Sequence, residues 1–167
     1  MKFTSAKSLI VLTALVCSCA LSSQAQQATP GGAGSQGNLA IEGSWRVTVQ
    51  LKRCDNGNPI GDPFQSLVSL IRGGTQVETT ANASFYPDER GPGHGNWRPL
   101  GPYTYSADSE AFITSSGQLS KVQTISQQIQ YDSAHDTWTS NAVVQFFNPS
   151  GQLLGTACAG AGAIRFP

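Results

Sequence analysis

The chain has 167 residues, with ten Lys and Arg against ten Asp and Glu, two His and four Cys. There is no basic run and no basic patch interleaved with aromatics, so no nucleic-acid partner is expected. No apolar stretch reaches the length of a membrane-spanning helix, so no transmembrane segment is expected either.

Lys2 and Lys7 flank the start of a short apolar stretch over residues 9–17, and Ser23-Gln24-Ala25 offers small residues where a signal peptidase cuts. Residues 1–25 therefore read as a secretory signal, and a secreted or periplasmic location follows. Val16-Cys17-Ser18-Cys19 also fits a lipoprotein box, with Cys19 as the lipid-anchored residue in that alternative. Residues 26–40 hold Gln, Gly, Ser, Ala and Pro without an apolar run and read as a flexible leader. Residues 41–167 are one domain's worth of chain, enough for a single core.

In the domain, apolar and polar residues alternate with period two, and turn residues separate the runs. Trp45, Val47, Val49 and Leu51 form one face of the first strand, which Asn56-Gly57-Asn58-Pro59 ends. Residues 64–72 form a second strand, apolar enough at Leu67-Val68 and Leu70-Ile71 to be covered on both faces or bulged. After Gly73-Gly74, Val77, Thr79, Ala81 and Ala83 alternate with Gln76, Glu78, Thr80 and Asn82. Residues 86–95 read as the longest irregular loop, placed at the mouth of the fold, with Trp97 beside it. Tyr103, Tyr105, Ala107, Ala111 and Ile113 mark the next strand. Residues 119–131 follow, with a bulge expected between Val122 and Ile125. Trp138, Ala142, Val144 and Phe146 share a face, and Asn148-Pro149-Ser150-Gly151 turns the chain into a last strand of very small residues.

That pattern predicts an all-β domain, a single antiparallel up-and-down barrel of about eight strands. Cleavage of the signal leaves Cys54 and Cys158, and two cysteines in an exported chain usually pair. A single antiparallel register sets Cys54 near Cys158 and Trp45 near Arg165, which makes the first and last strands neighbours and closes the barrel. In the chain-entropy account, a cross-link over about a hundred residues contributes roughly 4–5 kcal/mol. Trp45 is either covered by the Arg165 guanidinium or an ordinary core residue, with Arg165 then solvated.

Gly43-Ser44-Trp45 resembles the Gly-x-Trp signature of the lipocalins and wider calycins. The resemblance implies that Trp45 plugs the closed end of an eight-stranded barrel under an Arg from the last strand, here Arg165. The middle of the chain lacks a Thr-Asp-Tyr motif. Pro92-Gly93-His94-Gly95-Asn96-Trp97 is also similar to a segment shared by small secreted bacterial proteins without an assigned activity.

The resemblance, together with small inward residues among large ones, implies a cavity for a small, largely apolar molecule. Tyr103, Tyr105, Trp138, Phe146 and His94 are the candidate ligand-binding residues. Ala81, Ala83, Ala107, Ala111 and Ala142 are the expected small inward positions. His94, between two glycines, has three readings: a turn residue, a haem ligand, or a general acid–base partner of Asp88 or Glu89 in an isomerase or cyclase. The chain offers no zinc ligand set, so neither a metal nor a cofactor is expected apart from the haem option. A filled, structural, envelope-associated barrel that takes no ligand is the third alternative.

Overall fold

The structure, a computed structural model, describes residues 40–167. The expected signal, Cys19 and all of the expected leader except Ala40 lie outside the described residues. Eight antiparallel strands follow one another around a closed barrel: β1 (Gly43–Lys52), β2 (Pro59–Ile71), β3 (Thr75–Ala81), β4 (Glu89–Pro99), β5 (Thr104–Ser115), β6 (Gln118–Asp132), β7 (Thr137–Phe147) and β8 (Leu153–Arg165). A single 3-10 turn, Ala83–Phe85, lies between β3 and β4. No helix among the described residues is long and apolar enough to cross a membrane.

β8 closes the ring on β1 in one uninterrupted register, from Trp45 opposite Arg165 to Lys52 opposite Cys158. Cys54 lies just beyond the end of β1 and is disulfide-bonded to Cys158, with their Cα atoms 5.1 Å apart. Ala159, Ala161 and Ala163 line the inner face of β8 and leave room for bulky neighbours. Ala163 pairs with both Val47 and Trp138, and the Trp45 and Trp138 rings meet edge-on, 6.1 Å between centroids.

The barrel is packed at one end. Ile41, Trp45, Leu70, Trp97, Tyr105, Tyr131 and Trp138 form its plug. The Arg165 guanidinium carbon lies 4.2 Å from the centre of the Trp45 ring. Its nitrogens donate to Asp136 (2.5 and 2.8 Å), the Glu42 carbonyl (2.7 Å) and the Ala40 carbonyl (2.8 Å). The Trp45 indole N–H donates to the Ile41 carbonyl at 2.9 Å. Gly43 has φ of 130°, and a Cβ there would collide with the guanidinium, so the motif's glycine is required by the arginine it adjoins.

Four local expectations are corrected. Residues 86–95 are not one irregular loop, because β4 begins at Glu89. Glycine is a poor strand former, yet β4 needs it twice: a Cβ on Gly93 would strike the Glu78 carboxylate, and one on Gly95 the Asp108 carbonyl. Trp97 is therefore not beside a loop; it is buried, and its indole donates to the Ile71 carbonyl at 2.9 Å. β3 turns its polar face inward, burying Gln76 and Glu78, while Ala81 is exposed and Ala83 belongs to the 3-10 turn. In β6 the extra residue is Ser120, set between the Ile113–Lys121 and Thr114–Leu119 pairs. The pairing with β7 runs unbroken from Val122 to Asp132.

Trp45→Ala and Trp97→Ala should each cost about 3–5 kcal/mol, as truncation of a packed Trp does. Urea unfolding measures both, and a loss below about 1 kcal/mol for Trp97→Ala would contradict its place in the plug.

The Arg165 guanidinium holds the Asp136 carboxyl below the usual carboxylate range, against the opposing effect of partial burial; the Tyr131 hydroxyl adds a hydrogen bond in the same direction as Arg165. A depressed carboxyl stabilises the fold above its unfolded value near ~4, and that contribution is lost as pH falls through its folded value. The stability gap between wild type and Asp136→Asn should be flat from pH 7 to about 5 and shrink below about 4. A gap unchanged down to pH 2 would show that Asp136 does not act through its charge.

Candidate functional site

Above the plug the barrel is hollow. A cavity of about 420 Å³ opens at the end where β3, β5 and β7 finish. Its rim carries Phe64, Phe85, Phe146 and Leu154. Asn82 shapes one side of the mouth: its carboxamide oxygen accepts from the Ser84 N–H and hydroxyl at 2.9 and 2.7 Å, which starts the 3-10 turn.

The two walls differ. β7, β8, β1 and β2 contribute Val144, Phe146, Ala159, Val47, Val49 and Val68, an apolar surface apart from Ser66 and Ser140. β3 to β6 contribute Gln76, Glu78, Arg90, Ser109, Gln123 and Gln127 among Ile113 and Ile125. Period-two alternation makes each wall a set of stripes running along the strands.

An ion pair anchors the polar wall. Arg90 Nη2 donates to Glu78 Oε1, and their side chains are only 2% and 7% exposed. Arg90 Nε donates to Gln123 Oε1 at 2.5 Å and Nη1 to the Gly91 carbonyl at 3.0 Å. The Thr80 hydroxyl donates to Glu78 Oε2 at 3.0 Å. The network links β3, β4 and β6. The β-bulge between Arg90 and Gly93 lets Arg90 reach inward, and Gly93 leaves the space that Glu78 fills. Both charges are thus paired and hydrogen-bonded, which a low-dielectric setting demands.

The predicted site residues divide. Trp138 and Phe146 line the cavity, Trp138 at its floor against the plug. Tyr105 belongs to the plug, and Tyr103 is 44% exposed on the outside, 6.4 Å from the Tyr131 ring. His94 is on the outer face of β4, exposed, opposite Val77 and Glu110. Asp88 bonds Lys121 Nζ at 3.0 Å, and that contact holds its carboxyl below the usual range. Glu89 is exposed and pairs with Thr114, several ladder positions from His94. His94, Asp88 and Glu89 are not brought to the cavity as a cluster. No group of three or more His, Cys, Asp or Glu side chains among the described residues is placed to hold a metal ion.

Sequence reasoning missed Gln76, Glu78, Arg90 and Gln123. The available signal was Glu78 in strict alternation with Val77 and Thr79, one strand away from small residues that can make room for it.

The closed eight-stranded antiparallel barrel is compatible with a calycin-like fold. Neither the models of known protein families nor the curated proteins yield a match to this chain.

Removing one partner of the buried pair should be far worse than removing both. Arg90→Met or Glu78→Leu alone leaves a buried uncompensated charge and should cost about 3–5 kcal/mol. The double variant Glu78→Leu/Arg90→Met should recover most of that loss in urea unfolding. Additive losses would show that the two side chains do not act as a pair.

Proposed function

We propose that this barrel binds a small, largely apolar molecule in its cavity, as an exported protein working in a secreted or periplasmic setting. The observation that carries the reading is the hollow 420 Å³ space with one apolar wall. Its size lies within the range of about 300–1,000 Å³ typical of ligand pockets. Among the described residues a packed plug closes one end and the mouth opens at the other, so the ligand enters at the mouth. The bonded Cys54 and Cys158 fit an oxidising compartment. The acid–base reading through His94 has no geometric support, because that side chain faces outward from β4.

A neutral apolar dye, N-phenyl-1-naphthylamine, tests the reading. It should bind saturably, brighten, and quench Trp138 at the cavity floor. Ala142 lines the space between Trp138 and Phe146 on β7. Ala142→Phe fills that space and should weaken dye binding at least tenfold while leaving the circular dichroism unchanged. Unaltered affinity in Ala142→Phe would place the dye elsewhere, and no saturable binding by apolar probes would retire the reading.

A further inference from the structure

The floor of the cavity holds hydrogen-bonding groups that the protein does not use. Gln76 is 1% exposed, and neither its carboxamide oxygen nor its nitrogen has a hydrogen-bond partner within the protein. The indole N–H of Trp138, equally buried, also lacks one. Both residues line the cavity, one from β3 and the other from β7. The two other buried indoles are each satisfied, Trp45 by the Ile41 carbonyl and Trp97 by the Ile71 carbonyl. Buried polar groups are nearly always paired, and leaving them unpaired destabilises a fold. Unpaired groups on residues that line a ligand space can recognise a polar partner that reaches them.

The charges around the cavity narrow the chemistry. Its charged lining residues are Glu78, Arg90 and Lys121; Glu78 and Arg90 bond each other, and Lys121 bonds Asp88. An ionised ligand group at the floor would meet no free counter-charge there, and burying an unpaired charge is strongly unfavourable. A neutral group with its own acceptor and donor suits a carboxamide and an indole N–H.

We infer that the floor is a polar subsite, at which Gln76 and Trp138 hydrogen-bond the neutral, amide-like end of a ligand. This inference rests on the ligand-binding reading above and adds a direction: the polar end enters first and the apolar body follows. The body then lies against Val144, Phe146 and Val49, with its far end at the Phe64 and Phe85 rim.

Displacement of N-phenyl-1-naphthylamine from the full chain by three ten-carbon probes tests it. The probes are decanamide, N,N-dimethyldecanamide and decanoate. The dimethyl amide is the more apolar probe but has no N–H to donate, and decanoate is charged. Decanamide should displace the dye at about tenfold lower concentration than either, the scale of one or two well-placed hydrogen bonds. In Gln76→Met that advantage should fall below about twofold, and in Trp138→Phe it should diminish, each judged against that variant's own dye affinity. Gln76→Met should also raise the thermal midpoint of the ligand-free protein, because an unpaired carboxamide is removed. Equal displacement by the three probes in wild type overturns the subsite, even if the dye binds well; the groups are then met by water only. A preference that survives in both variants overturns it too. Failure of the dye itself to bind defeats the ligand-binding reading, and the subsite with it.

Discussion

The seat of Arg165 over Trp45 governs the rest of the barrel. β8 can close on β1 only if its end reaches the start of β1, and the guanidinium fastens that junction. It stacks on the indole, ties Asp136 in the β6–β7 turn, and caps two carbonyls of the segment that enters β1. A stacked guanidinium contributes roughly 0.5–2 kcal/mol at such a site. Each contact constrains another element: Asp136 holds the Tyr131 hydroxyl at 2.9 Å, and Trp45 meets Tyr131 and Trp138 edge-on. The disulfide fixes the other end of the same ladder, so β1 and β8 are fastened at both ends and need little side-chain bulk between them. That is why β8 can be built from alanine and glycine.

Small residues on β8 have a second effect, on the interior. A β8 with large inward side chains would fill the barrel above the plug. Alanines there leave the volume that Val144, Val47 and Phe146 surround. The cavity therefore follows from the way the ring is closed. The opposite wall is then free to hold polar groups, because the plug already supplies a packed core. Glu78 and Arg90 can be buried there only as a bonded pair, which explains why a bulge, a glycine and a glutamine all serve that one contact.

The architecture was legible in the sequence because it depends on features that leave local marks. Period-two alternation marks strands, and one register that sets Trp45 at Arg165 and brings Cys54 near Cys158 marks closure. The inward face of β3 was not legible. Val77 and Thr79 alternate with Gln76 and Glu78, and choosing between the faces requires knowing that Arg90 reaches inward from the neighbouring β4. β4 was obscured for a related reason. Its glycines serve neighbours distant in sequence, Glu78 and Asp108, so locally they resemble a turn. Trp138 and Phe146 are legible as cavity residues because β7 carries an unambiguous apolar face. Tyr103 and Tyr105 share one period-two pattern in the sequence, yet Tyr105 begins the buried face of β5 and Tyr103 lies before that strand starts.

The division of the barrel into a sealed half and a hollow half also bears on which residues can change without loss of fold. Plug residues are coupled through shared rings and hydrogen bonds, so their substitutions will not act independently. The apolar cavity wall is different, because its side chains pack against open space on one side and carry fewer mutual constraints. Exchanges among Val, Ile, Leu and Phe there alter the shape of the space more than the stability of the ring. The polar wall is the exception, since Glu78, Arg90 and Gln123 form one unit from three strands. The shape of the cavity is thus set by β7, β8 and β1, which tolerate change, while the network on β3, β4 and β6 is held fixed by the cost of an unpaired charge.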